Sequence, residues 1–291
     1  MLSDLFRLDG TPTIIPAAGN LPPMSPGDVV ANTVFAPGEW KPPGSKVKDV
    51  TFRSVAFSKT KISQVTFIGC TFVDCLFTGA HMSEVEFHGC TFTDCNFWKI
   101  RLARVYLRPD TIKFADRYRA EGANIGISIY QAMLSNFAEE RQDHFYMLAD
   151  IEFRRWKRYQ IRHDRLHGNK TSREARLEWV SSVIYETLAG FGYRPLRFFF
   201  ATIVLFLSVS CLNYFAIGGS IQVGTAPPNV PSVHASFVDT IFYSFSVLTV
   251  LGFSLVTPTT DGAKILTVLE ALASIGWLGI FTAVLVKRFL R

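Results

Sequence analysis

The sequence is short of the residues that chemistry needs. Across its 291 residues there is no nucleophile–base pair, no phosphate-cradling loop and no metal-ligand set at recognisable spacing. An enzyme is therefore not expected, and neither is a cofactor. Cysteine is scarce: Cys70, Cys75, Cys90 and Cys95 fall close together, and Cys211 lies in an apolar run. None forms a C-x-x-C pair, which argues against zinc, and the four clustered positions read as core residues in a reducing compartment. The N-terminus has no basic start followed by an apolar run, so no signal peptide is expected. Nucleotide-binding and arginine-rich voltage-sensing segments are also not recognisable. Between residues 218 and 264 the only Lys or Arg is Lys264.

What charge there is, 19% of residues with a net +6, crowds between about 97 and 197, and the last hundred residues are largely apolar. A basic balance is compatible with nucleic acid, but much of it borders apolar spans, as the positive-inside rule expects. The length allows two or three folding units.

From Phe52 an apolar residue recurs every five positions, through Phe57, Ile62, Phe67 and onward to Ile112, thirteen times in one register. Two residues before each stands a small or β-branched residue, such as Val50, Val55, Thr60 and Cys70. Neither a helix nor a flat strand has this period. A square coil with one pentapeptide per side does, with both marked positions pointing inward. Residues 50–112 thus resemble the pentapeptide-repeat family, which implies a right-handed quadrilateral β-helix of about three coils. In such a coil Cys70 would stack on Cys90, and Cys75 on Cys95. Outward positions mix Asp74, Glu84, Glu86 and Asp94 with more numerous Lys and Arg, which argues against DNA mimicry. The Pro/Gly-rich segment 10–48 either covers one end of the stack or forms a flexible arm.

From about Asp116 to Gly190 the period becomes helical. Ile129, Met133 and Phe137 mark one face, and Phe145, Phe153 and Trp156 mark a second, with Glu139–Asp143 joining them as a hairpin. A third helix is expected over Ser172–Leu188, capped by Thr171 or Ser172 with Glu174 in its first turn, and bearing Leu177, Val180, Ile184 and Leu188. The basic run 154–165 is a nucleic-acid contact, a surface facing anionic lipid, a solvated helix face or an inter-subunit contact; no nucleic-acid partner is expected.

Residues 196–217 and 265–286 are apolar runs of about 22 residues, each long enough at about 1.5 Å per residue to cross a bilayer. Arg194 and Arg197 flank the start of the first, and Lys287, Arg288 and Arg291 follow the second. Both chain ends are therefore expected in the cytoplasm of a multi-pass inner (plasma) membrane protein. Between the spans, residues 237–248 are apolar and aromatic but too short to cross, and TVLGFSLVTP follows. Irregular backbone at membrane depth is tolerated only where protein shields it or it lines a water-filled path.

This order is similar to the two-transmembrane family of potassium channels, over about a third of the chain. The resemblance implies a re-entrant pore helix, a selectivity filter at Thr249, Val250, Leu251, Gly252, Phe253 and Ser254, and potassium held by the backbone carbonyls of Val250, Leu251, Gly252 and Phe253. Pro258 and Glu270 would support the filter, and Gly276 and Gly279 would serve as a hinge or as close-packing positions. Three departures bear on selectivity. Val250 stands where a threonine is expected, Ser254 replaces the second glycine, and Leu255 replaces an acid. Treating Leu251 as an insertion restores the threonine at Thr249.

The expectation is a multidomain membrane protein: segment 1–48, extended or flexible; β-helix 49–115; cytoplasmic α-helical linker domain 116–194; all-α pore domain 195–291. The resemblance implies a tetrameric cation channel in the lipid bilayer, passing potassium, whose repeats assemble the channel or meet a cytoplasmic protein or ligand. The alternative is a membrane-anchored scaffold whose repeats bind a protein partner.

Overall fold

The computed structural model describes residues 11–16, 24–40, 43–217, 221–223, 236–249 and 256–289. They fall into two compact units, Met1–Ser182 and Val183–Arg291.

In the first unit, strands β1 (Thr13–Ile15), β2 (Val29–Phe35), β3 (Glu39–Trp40), β4 (Lys46–Lys48), β5 (Thr51–Ala56), β6 (Lys61–Ile68), β7 (Thr71–Val73), β8 (His81–His88), β9 (Thr91–Thr93), β10 (Arg101–Ala103) and β11 (Ile112–Lys113) wind into a β-solenoid of about five turns. One sheet runs β1-β2-β5-β7-β9-β11 and the other β10-β8-β6-β3, with β4 also on β6. Neighbours are parallel: Thr51 faces Thr71, which faces Thr91, so each coil takes four pentapeptides.

The turn that closes each side is a single left-handed residue. From Asp49 to Arg104 a positive φ, between 50° and 67°, recurs every five positions. Glycine fills three of these corners, Gly69, Gly79 and Gly89, and polar residues such as Asp49, Ser54, Lys59 and Gln64 fill others. At Gly69 a Cβ would lie 2.2 Å from the Asp49 carboxylate, so close approach as well as φ demands glycine there.

Inside, the phenylalanines form parallel ladders. Phe52, Phe72 and Phe92 stack at 4.9 and 4.7 Å, and Phe35, Phe57, Phe77 and Phe97 at 4.8, 5.2 and 5.2 Å. The four clustered cysteines are free and buried. The thiols of Cys75 and Cys95 donate to the carbonyls of Phe52 and Phe72 at 3.4 and 3.5 Å. The neighbouring Cys70 sulfur and burial push the Cys90 thiol up, and burial together with Cys75 pushes Cys95 up.

Two expectations need correction. Segment 1–48 is not merely an arm, because β1 to β4 add coils to the solenoid and raise the count above three. Nor do residues 116–166 form a separate domain. Helices α1 (Asp116–Glu121), α2 (Ala123–Glu139) and α3 (Asp143–Leu166) share one hydrophobic core with the coils, through Tyr118, Ile125, Ile129, Met133, Phe137 and Trp156. A solenoid end exposes a row of backbone groups that must be satisfied. Here α2 covers it. Asn136, buried, accepts from the Val105 N–H at 2.9 Å and donates to the Val105 carbonyl at 2.8 Å, standing in for the next strand. Ser128 likewise accepts from the Lys99 N–H at 2.9 Å.

The basic run lies on α3. Arg154 pairs with Asp150 at 3.0 Å, Arg155 with Glu152 at 2.7 Å, and Trp156 packs on Phe114 with ring centres 4.8 Å apart. Helix α4 (Ser172–Ala189) opens on a reciprocal cap: the Glu174 N–H donates to Thr171 Oγ1, and the Thr171 N–H donates to Glu174 Oε2, both at 3.3 Å. Its apolar positions Leu177, Val180 and Ile184 stay exposed.

Candidate ion-conduction site

The second unit contains helix α5 (Pro195–Ile217), strand β12 (Ile221–Val223), helix α6 (Phe237–Leu248), strand β13 (Val256–Pro258) and helix α7 (Asp261–Phe289). Pro195 takes the first turn of α5, where its missing N–H costs nothing. Helices α5 and α7 are long and apolar enough to cross a membrane, and most of their surface is uncovered in the single chain. Leu196, Phe200, Val204, Ile265, Leu272 and Ile275 are all exposed.

Helix α6 is fixed at both ends. Ser236 Oγ accepts from the Asp239 N–H at 3.2 Å and Asp239 Oδ2 from the Ser236 N–H at 3.3 Å. At the other end the Thr249 N–H and hydroxyl both donate to the Phe245 carbonyl, at 2.9 and 2.6 Å. The Thr249 side chain is thus turned back onto the helix. Twelve residues make a rod of about 18 Å, too short to span hydrocarbon, with its negative dipole end at Thr249. Strands β12 and β13 pair antiparallel, Ile221 facing Pro258, which ties the chain after α5 to the chain before α7.

Three helices meet at Asn213. This α5 side chain is fully buried, and its Nδ2 donates to Ser244 Oγ of α6 at 3.0 Å and to Glu270 Oε2 of α7 at 3.1 Å. One turn away, Tyr243 of α6 and Thr267 of α7 share a short hydroxyl–hydroxyl bond. Further along, Trp277 Nε1 donates to Thr202 Oγ1 at 3.0 Å and its ring stacks on Phe198 at 4.7 Å, which makes Trp277 a packing residue between α7 and α5.

Of the expected site residues, the structure joins Glu270 to α6 through Asn213, caps α6 with Thr249 and sets Pro258 in β13. Val250, Leu251, Gly252, Phe253 and Ser254 lie outside the described residues, as does Leu255. Gly276 and Gly279 sit inside continuous helix, and a Cβ at either would meet nothing within 4 Å in the single chain. Asn213, Ser244, Thr240 and Tyr243 were not singled out from sequence. The available signal was a polar side chain inside an apolar span, which is costly unless it has work to do. Among the described residues no group of His, Cys, Asp or Glu is placed to hold a metal ion.

Comparison with known families decides what this helical arrangement is. Residues 200–291 match a family model described as "Ion channel". The chain carries an ion-channel domain. Residues 60–98 match pentapeptide repeats, in 8 copies. Comparison with curated proteins returns no match. The ion-channel match and the two long apolar helices point to contact with a membrane, and the pentapeptide repeats precede that match in the chain.

Proposed function

We propose that the chain is one subunit of a homotetrameric cation channel that passes potassium, with both ends in the cytoplasm. The observation that carries this reading is the order of span, short capped helix, residues 249–254 and span within the ion-channel match. Around a fourfold axis, four α6 helices would direct their negative ends toward a cation, and the carbonyls of Val250, Leu251, Gly252 and Phe253 would replace its water shell. The single chain leaves α5 and α7 largely uncovered, which fits burial by lipid and by neighbouring subunits. The scarcity of Lys and Arg in 218–264, against Arg194, Arg197, Lys287 and Arg288, supports cytoplasmic ends. The role is transport, not catalysis, and potassium is cargo. The solenoid, whose open edge the helices already cap, serves assembly or sensing.

Flux into liposomes from K⁺, Na⁺ and N-methylglucamine gradients tests the reading, with Gly252→Asp as control. Potassium-preferring flux that the substitution abolishes is expected. Equal K⁺ and Na⁺ flux would retain the channel and remove potassium selectivity. No flux from a verified tetramer would favour the membrane-anchored scaffold.

A further inference from the structure

Asn213 lies outside the filter region, yet its side chain is hydrogen-bonded to both α6 and α7. Its amide nitrogen carries two protons in one plane, and each is committed: one to Ser244 Oγ at 3.0 Å, the other to Glu270 Oε2 at 3.1 Å. Asn213 and Ser244 have no exposed surface, so water does not compete for the bond between them, and the bond to Glu270 is part-buried. The bond to Glu270 involves a carboxyl group, and the next turn of α7 is tied to the same residue by Ser274 Oγ donating to the Glu270 carbonyl at 2.7 Å.

The amide oxygen points the same way. Among the described residues, no group donates to the buried Asn213 Oδ1. Leaving an acceptor orphaned is unfavourable, so packing alone would prefer leucine at this position. The orientation of the amide is set by its nitrogen. Because the two protons are fixed relative to each other, a shift of Glu270 cannot be followed without straining the bond to Ser244. Ser244 lies five residues before Thr249, the last described residue ahead of 250–254.

We propose that Asn213 is a positioning residue of the conduction path: its amide couples the second span to the pore helix, so that the angle of α6 follows the position of α7. The inference rests on the channel reading above.

The test is cation flux per assembled oligomer in liposomes, with oligomer mass and thermal midpoint measured on the same samples. The variants are Asn213→Leu, Asn213→Asp and the exchange Asn213→Asp/Glu270→Gln. The exchange keeps both bonds with their direction reversed, since the carboxylate accepts from the Ser244 hydroxyl and from the new amide. Both single variants should assemble with flux changed about tenfold, the ratio that corresponds to about one net hydrogen bond, and the exchange should restore it. Wild-type flux with unchanged flux in the single variants would overturn the inference alone. So would single variants that fail to assemble while the exchange assembles and conducts, because the bond would then serve folding only. No flux through the wild-type tetramer would overturn the channel reading, and the inference with it.

Discussion

At the residue scale, the solenoid is governed by φ at its corners and by what its interior thiols touch. Ser54 holds φ 51° without a glycine. Ser54→Val should destabilise the first unit by about 1–2 kcal/mol, because a β-branched residue resists the left-handed region, whereas Ser54→Gly should be close to neutral. Urea unfolding of the two variants checks this, and equal midpoints would refute it. Gly126 shows the opposite constraint: its backbone is helical, but a Cβ there would sit 2.1 Å from the Trp156 ring. The buried thiols make a chemical prediction. With Cys90 and Cys95 buried and held above the usual thiol range, these two should resist iodoacetamide at neutral pH and become labelled only on unfolding, whereas the Cys70 thiol, lowered to about 7 by its contact with Cys90, is protected by burial alone. Mass spectrometry of peptides from native and denatured protein measures it. Rapid native labelling at Cys90 or Cys95 would contradict the burial.

At the element scale, the end of the solenoid depends on Asn136. Asn136→Ala removes two hydrogen bonds and leaves the Val105 N–H and carbonyl without their partner, a loss of about 3 kcal/mol. Hydrogen exchange should then accelerate at Val105 and along α2 before it does in β6 or β7. Uniform acceleration would mean that α2 is not a separate cap. The same elements explain what was legible in the sequence. The five-residue period announced the coils from Phe52 onward because each repeat contributes the same two inward positions. The first coils escaped notice because they are out of phase. Glu39 pairs with Lys61 and Trp40 with Ile62, whereas Lys46 pairs with Thr66, so two extra residues lie between Trp40 and Val47. The ring stacks of Phe35 on Phe57 and Trp40 on Phe67 continue across that break. Helices α2 and α3 were visible from their apolar faces, but their union with the coils was not, because Asn136 and Ser128 act on backbone groups that carry no sequence signal. In the ion-channel domain the short helix between two spans was legible from length alone. The link through Asn213 was not, since it depends on which faces of three helices meet.

At the scale of the whole molecule, the chain joins a capped β-solenoid to a helical ion-channel domain that leaves its own apolar surface uncovered. Such a surface is stable only against lipid or further subunits. The protein in mild detergent should therefore run as an oligomer, with the mass of four chains if the proposed channel assembles, when measured by light scattering with the detergent subtracted. A monomer at all concentrations would point to an anchor. The most direct test of the central claim is the reversal potential of the purified protein in a planar bilayer, with potassium chloride on one side and sodium chloride on the other. Current that reverses toward the potassium equilibrium potential is the predicted result; no current from assembled oligomers, or reversal at the value set by chloride, would contradict it.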